Sequence, residues 1–219
     1  MRKLIAGMKI SIDGKMEGPE GTADWVTAWS DDYGVVPEVD ACILGGGMYS
    51  GYEWYWSAIQ TQPDTPIWIT GKPPTPEEVA YAAFVARTPH YVLSNTVTTA
   101  TWPQTAFLHG PDDVAALKKQ PGKGIYLVGG ARTTSSLIDA GLVDELRLIV
   151  HPLIAGQGKA LFGPDQCRRP LALQKVQQLQ GGLVGLVYAI DNTVTSDAAT
   201  KDAAAKDTAT NDAAVKEAA

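Results

Sequence analysis

The sequence predicts an α/β fold, with a mainly parallel central sheet flanked by helices and an antiparallel edge formed by the last strands. Three observations carry this expectation. Short apolar runs such as Ala41-Cys42-Ile43-Leu44 and Ile125-Tyr126-Leu127-Val128 read as strands buried on both faces. These runs alternate with helical patterns, the order of βα units around a parallel sheet. Two more extended runs, 171–178 and 183–190, meet across Gly181-Gly182 and read as a hairpin.

The elements follow in order. Residues 4–12 read as a central strand ended by Asp13-Gly14, and 15–23 as a Gly/Pro-punctuated loop. A short helix is expected over 25–33. Residues 40–44 form the second strand, closed by Gly45-Gly46-Gly47. The helix over 48–59 carries Tyr49, Tyr52, Trp54, Tyr55 and Trp56 around most of its circumference, which marks a buried or partner-facing element. A short extended run is expected at 67–69. Thr75-Pro76-Glu77-Glu78 places an N-cap, a proline at the first helical position and two acids in the first turn, opening a helix to about residue 87. Strands at 90–93 and 105–108 and a helix over 111–119 come next. Residues 125–128 form a strand that ends in Gly129-Gly130. The following helix is anchored by Leu137 and Ile138 and stopped by Gly141, and Asp144-Glu145 leads into a strand over 146–150.

The composition bounds the function. With 219 residues, 45% of them apolar, the chain can bury a sizeable core. A net charge of -6 argues against a nucleic-acid groove. No run approaches the length of a membrane helix, and the N-terminus lacks a signal-peptide pattern, so the expected location is the cytoplasm. Cys42 and Cys167 have no His or Cys at zinc spacing, and no metal site is expected. The domain is expected to span 1–190. Beyond it, 191–219 is an Ala/Asp/Lys/Thr-rich tail without an apolar stripe, either disordered or partly helical through pairs such as Asp197 and Lys201.

Three turns share one logic, a strand end followed by small residues: Gly45-Gly46-Gly47, Ser94-Asn95-Thr96, and Gly129-Gly130-Ala131-Arg132-Thr133. Glycine admits close approach of a ligand, and the free N–H groups of a first helical turn attract phosphate. On one edge of an open sheet the three turns could hold a dinucleotide. Trp25, Tyr49 and Tyr52 could wall a planar substrate by stacking, or could simply be core. Asp13 is expected to shape its turn, and Asp144 and Glu145 to serve the structure.

The pattern strand, Gly-Gly, helix, Gly141-Leu142-Val143-Asp144-Glu145-Leu146-Arg147-Leu148 resembles the C-terminal reductase domain of the bifunctional riboflavin-biosynthesis enzyme, a member of the dihydrofolate-reductase-like superfamily. The first strand with Ser11, Asp13 and Gly14 resembles the same family. The resemblance implies a dihydrofolate-reductase-like sheet, a homodimer and NADPH as cofactor. Residues 129–133 would cradle its pyrophosphate, 94–96 would face the adenosine ribose, and Ala6, Gly7 and Met16 would lie near the nicotinamide. Asp32 would supply the substrate-side acid. The implied activity is reduction of a small heterocycle, nearest to that of 5-amino-6-(5-phosphoribosylamino)uracil. Dihydrofolate reduction and a non-catalytic nucleotide-binding scaffold are the alternatives. Relatives often carry Gly-Arg-x-Thr-Tyr where this chain has Gly45-Gly46-Gly47-Met48-Tyr49, which leaves NADH open. No His-x-Glu with Cys-x-x-Cys spacing occurs, so a stand-alone reductase without the deaminase half is expected.

Overall fold

The computed structural model describes residues 1–30 and 33–193. Its centre is β1, Leu4–Ser11, paired in parallel with β6, Gly124–Gly129, on one side and β7, Glu145–His151, on the other. Outward from β6 lie β3, Val39–Gly45, then β4, His90–Leu93, and β5, Thr105–Leu108, all parallel. On the other flank β10, Val184–Ile190, runs antiparallel to β7 and to β9, Leu171–Gln178. The order β5-β4-β3-β6-β1-β7-β10-β9 is therefore a parallel sheet with an antiparallel edge, the dihydrofolate-reductase-like arrangement.

Alternation along the strands sends side chains to two cores. Leu4, Ala6 and Met8 meet Ile43 and Leu127 on the face covered by α3, Pro111–Lys119, and α4, Ala131–Asp139. Ile5, Cys42 and Tyr126 face the other way, under α1, Gly46–Thr61, and α2, Pro76–Arg87. Each fully buried Leu or Ile contributes roughly 2 kcal/mol, so the strands that are apolar on both sides are those held most firmly.

Three local expectations are corrected. No helix forms over residues 25–30, because the backbone groups there are taken by distant side chains. The N–H of Trp29 donates to Glu78, and Lys9 donates to the carbonyl of Ala28. The expected extended run at 67–69 is a tight turn, in which the N–H groups of Thr70 and Gly71 both return to the carbonyl of Ile67. The loop after β1 contains β2, Lys15–Glu17, which pairs with β8, Lys159–Ala160, as a separate two-stranded sheet. The expectation for the tail falls from residue 194 onward outside the described residues.

Candidate active site

The carboxyl ends of β3 and β6 lie side by side, and each runs directly into a helix. Gly45 caps α1 and Gly130 caps α4, and neither helix has a side-chain cap. The first N–H groups of both helices are left for another acceptor, and the two positive dipole ends point toward one crevice. Gly129 and Gly130 have φ of +110° and +88°, left-handed values that explain why this junction is built from glycine.

The three small-residue turns converge. A Cβ on Gly45 would collide with the hydroxyl of Thr133, at the start of α4. A Cβ on Gly46 would lie 2.5 Å from the Ser94 hydroxyl, so the end of β4 packs directly on the start of α1. Ser94 in turn accepts from the N–H groups of Thr96 and Val97, at 3.1 and 3.0 Å. Gly47 has open space around it. Asn95, Thr96 and Arg132 are exposed at this edge, and Ala131 is buried beneath it.

A cleft of about 880 Å³ begins at Gly47, Met48 and Gly130 and continues past Gly7 and Met16. Much of its wall is aromatic, with Tyr33, Tyr52, Trp56, Tyr81 and Tyr126 among the lining. Gly7 makes this possible, since a Cβ there would lie 3.0 Å from the ring of Tyr126 and 3.1 Å from that of Tyr33.

Three residues expected beside the nicotinamide or the substrate are absent from the lining of the cleft. The side chain of Ala6 is fully buried in the core with Leu4 and Met8, while Gly7 and Met8 beside it on β1 line the cleft. Tyr49 is 1% exposed, and its hydroxyl lies 2.6 Å from Glu53 and 2.8 Å from Thr105, so it fixes α1 to the start of β5 instead of walling the cleft. Trp25 is half-buried and lies against Gly18, outside the lining. Tyr52 does line the cleft. Asp32, with Asp31, lies outside the described residues.

The segments on either side of those two acids are held by three residues from distant elements, Lys9, Glu78 and Arg147. Lys9 is 6% exposed on β1; its ammonium donates to the Ala28 carbonyl at 2.9 Å and sits 5.4 Å over the Trp29 ring. Glu78 is buried, and one carboxylate oxygen accepts from the Trp29 N–H and the Tyr55 hydroxyl, both at 2.8 Å. On the other side Arg147 donates through Nη1 to the carbonyls of Tyr33 and Gly34 and through Nη2 to both oxygens of Glu38. Of these, Glu78 carries a sequence signal as an acid in the first turn of a capped helix, and Arg147 as part of the 141–148 pattern.

The acids Asp13, Asp144 and Glu145 serve the structure. Asp13 accepts from Ser11 and from the N–H groups of Ala155 and Gly156, which hold its carboxyl down at about 2. Asp144 accepts from the Leu4 N–H and from Lys118, while Glu145 pairs with Lys3 and Arg147.

The chain is similar to several known proteins. It is 31% identical over 192 residues to the uncharacterized protein YyaP of Bacillus subtilis (strain 168), covering 85% of this chain and 94% of that one. The fold matches a putative riboflavin biosynthesis protein from Shewanella sp. PV-4 with a TM-score of 0.61 at 18% identity, over 86% of this chain and 99% of that one. It also matches a dihydrofolate reductase from Enterococcus faecalis, solved with NADP(H), with a TM-score of 0.54 at 12% identity, over 86% and 96% of the two chains. The family model of the RibD C-terminal domain matches residues 2–185. By that match the chain belongs to the RibD C-terminal domain family.

Proposed function

We propose that this protein is an NADPH-dependent reductase of a small, planar heterocycle, nearest in activity to the reduction of 5-amino-6-(5-phosphoribosylamino)uracil. The observation that carries the reading is the continuity of the cleft, from two uncapped helix N-termini to an aromatic chamber. Family membership and the NADP(H) complex of the dihydrofolate reductase neighbour support it.

The residues fit the cofactor. The glycine junctions leave room for a pyrophosphate against the first turns of α1 and α4, where backbone N–H groups and helix dipoles favour it. When bound, the nicotinamide would supply a hydride to the carbon of a polarised C=N or C=O bond of the substrate, in a ribosylamino compound the sugar carbon attached to the amine, and a proton to the heteroatom of that bond completes the two-electron reduction. Gly7 and Met16 would border the nicotinamide, and the walls of Tyr33, Tyr52 and Tyr126 would orient the substrate ring and exclude water. Asp32 remains the proposed proton donor, with Ser30 and Tyr33 of its segment both lining the cleft.

The test is consumption of NADPH, followed by its near-ultraviolet absorbance, across a panel of pyrimidines, pterins and related heterocycles. Turnover of one of them is the expected result. Tight nucleotide binding without turnover of any would instead favour a scaffold that keeps the fold.

A further inference from the structure

Two phenols in the cleft carry more protons than they have acceptors. Tyr52 comes from α1 and Tyr81 from α2, and both line the cleft. Their hydroxyls are 3.5 Å apart, longer than an ordinary O–H···O bond. Among the described residues each hydroxyl has the other as its only hydrogen-bond partner. Burial raises both phenols well above their ordinary range, so both keep their protons. One proton can go to the neighbouring oxygen. The second has no acceptor among the described residues, although Tyr81 is only 6% exposed.

The groups around the pair do not take that proton. His90 lies 5.7 Å from Tyr52, ring centre to ring centre, and neither of its nitrogens is hydrogen-bonded to a phenol. On α1 the carboxylate of Glu53 is engaged by the Tyr49 hydroxyl and by the N–H groups of Thr101 and Trp102. On α2 that of Glu78 is engaged by Tyr55, Trp29 and Thr75. The phenol rings are also hemmed in. Trp56 lies 4.7 Å from Tyr81 and 6.0 Å from Tyr52, Trp102 meets Tyr52 edge to face at 6.0 Å, and Phe84 lies 5.5 Å from Tyr81, centroid to centroid. Two hydroxyls fixed by packing, with a proton to spare, form a preorganised donor for an acceptor that a ligand brings. The pair is uncharged and stands in an aromatic wall, which suits the carbonyl oxygen of a flat ring amide. A buried donor of this kind discriminates against a ring that leaves it unpaired.

We infer that Tyr52 and Tyr81 are specificity-determining residues whose hydroxyls take a ring carbonyl of the substrate, so that the cleft selects flat ring amides, such as a uracil-type dione, over flat rings without a carbonyl. This rests on the reductase reading only in calling that ring a substrate. Lys72, exposed in the same lining, suits an anionic substituent on the ring.

A matched pair of probes tests it by calorimetry on the full-length protein, with and without NADPH. One is quinazoline-2,4-dione, an uncharged two-ring dione; the other is quinoxaline, a two-ring frame of the same size with no carbonyl. The wild type is expected to bind the dione about tenfold tighter than quinoxaline. Tyr52→Phe/Tyr81→Phe keeps both rings and removes both hydroxyls. In it the dione is expected to weaken about tenfold, while quinoxaline and NADPH change by less than about twofold. Equal affinity of the wild type for the two probes, no binding of the dione, or an unchanged dione affinity in the variant overturns the inference. Equal losses for the two probes would mark a change of cleft shape and overturn it as well. Failure of NADPH to bind, with the dione preference and its loss in the variant intact, would overturn the reductase reading and leave the carbonyl subsite standing.

Discussion

The Ser94 hydroxyl stands 2.5 Å from where a Cβ on Gly46 would be, so Gly46→Arg, which would restore the arginine that the resemblance implies at this place, is expected to destabilise the protein. One residue on, Gly47 has open space and faces the cleft. Gly47→Arg is expected to keep the melting temperature and to shift preference toward NADPH over NADH by about tenfold, through charge-assisted contacts to the extra phosphate; parallel titrations with the two nucleotides check this. His90 makes a second residue-level prediction. It is fully buried on β4 beside Tyr52 and Trp102, and burial lowers its imidazole from 6.5 to about 4. Below pH 6.5 the unfolded chain takes up a proton that the folded protein refuses until about pH 4. Stability should therefore fall through that window by about 3 kcal/mol from this group alone. In His90→Phe that share of the loss should vanish, which urea unfolding at pH 7 and pH 4.5 would measure. Equal losses in the two proteins would contradict it.

Among the elements, α2 separates what the sequence makes legible from what it does not. Thr75-Pro76-Glu77-Glu78 announces a helix start, and the capping box forms: the Thr75 side chain accepts from the Glu78 N–H and Glu78 accepts from the Thr75 N–H. A cap of this kind contributes about 1 kcal/mol. Nothing near Glu78 in the chain signals that its other oxygen reaches Trp29, 49 residues away. Glu78→Ala also strands the Trp29 N–H and the Tyr55 hydroxyl, and is expected to cost about 3 kcal/mol by denaturant unfolding. Local patterns reveal caps and strand ends because both partners lie within a few residues. The pattern over 25–30 suggests a helix that does not form, because the partners of that segment, Lys9 and Glu78, come from other elements. Tyr49 differs from expectation for a related reason: an aromatic on a helix does not declare which face is core, and its partners Glu53 and Thr105 decide it.

At the level of the whole molecule, the alternation of apolar runs and helices is enough to predict the parallel sheet, and the Gly181-Gly182 turn its antiparallel edge. What the sequence leaves open is the convergence of the turns. It depends on β3 and β6 being neighbours in the sheet, although α1, α2, β4, β5 and α3 all lie between them in the chain. The outer strand β9 exposes Leu171, Leu173 and Val176, at 40%, 53% and 57%. Among the described residues nothing pairs with the outer edge of β9, and an apolar open edge invites pairing; we propose that a homodimer uses it, so that the wild type should sediment as a dimer and Leu173→Lys as a monomer. No helix among the described residues is long and apolar enough to cross a membrane. The central claim is that the glycine junctions of α1 and α4 form one nucleotide site, and the most direct test is an NADPH fluorescence titration of the wild type beside Gly47→Asp. The account predicts micromolar binding by the wild type and at least about tenfold weaker binding by the variant, from a negative charge at a helix start. Equal affinity in the two proteins, or no binding by the wild type, would contradict it.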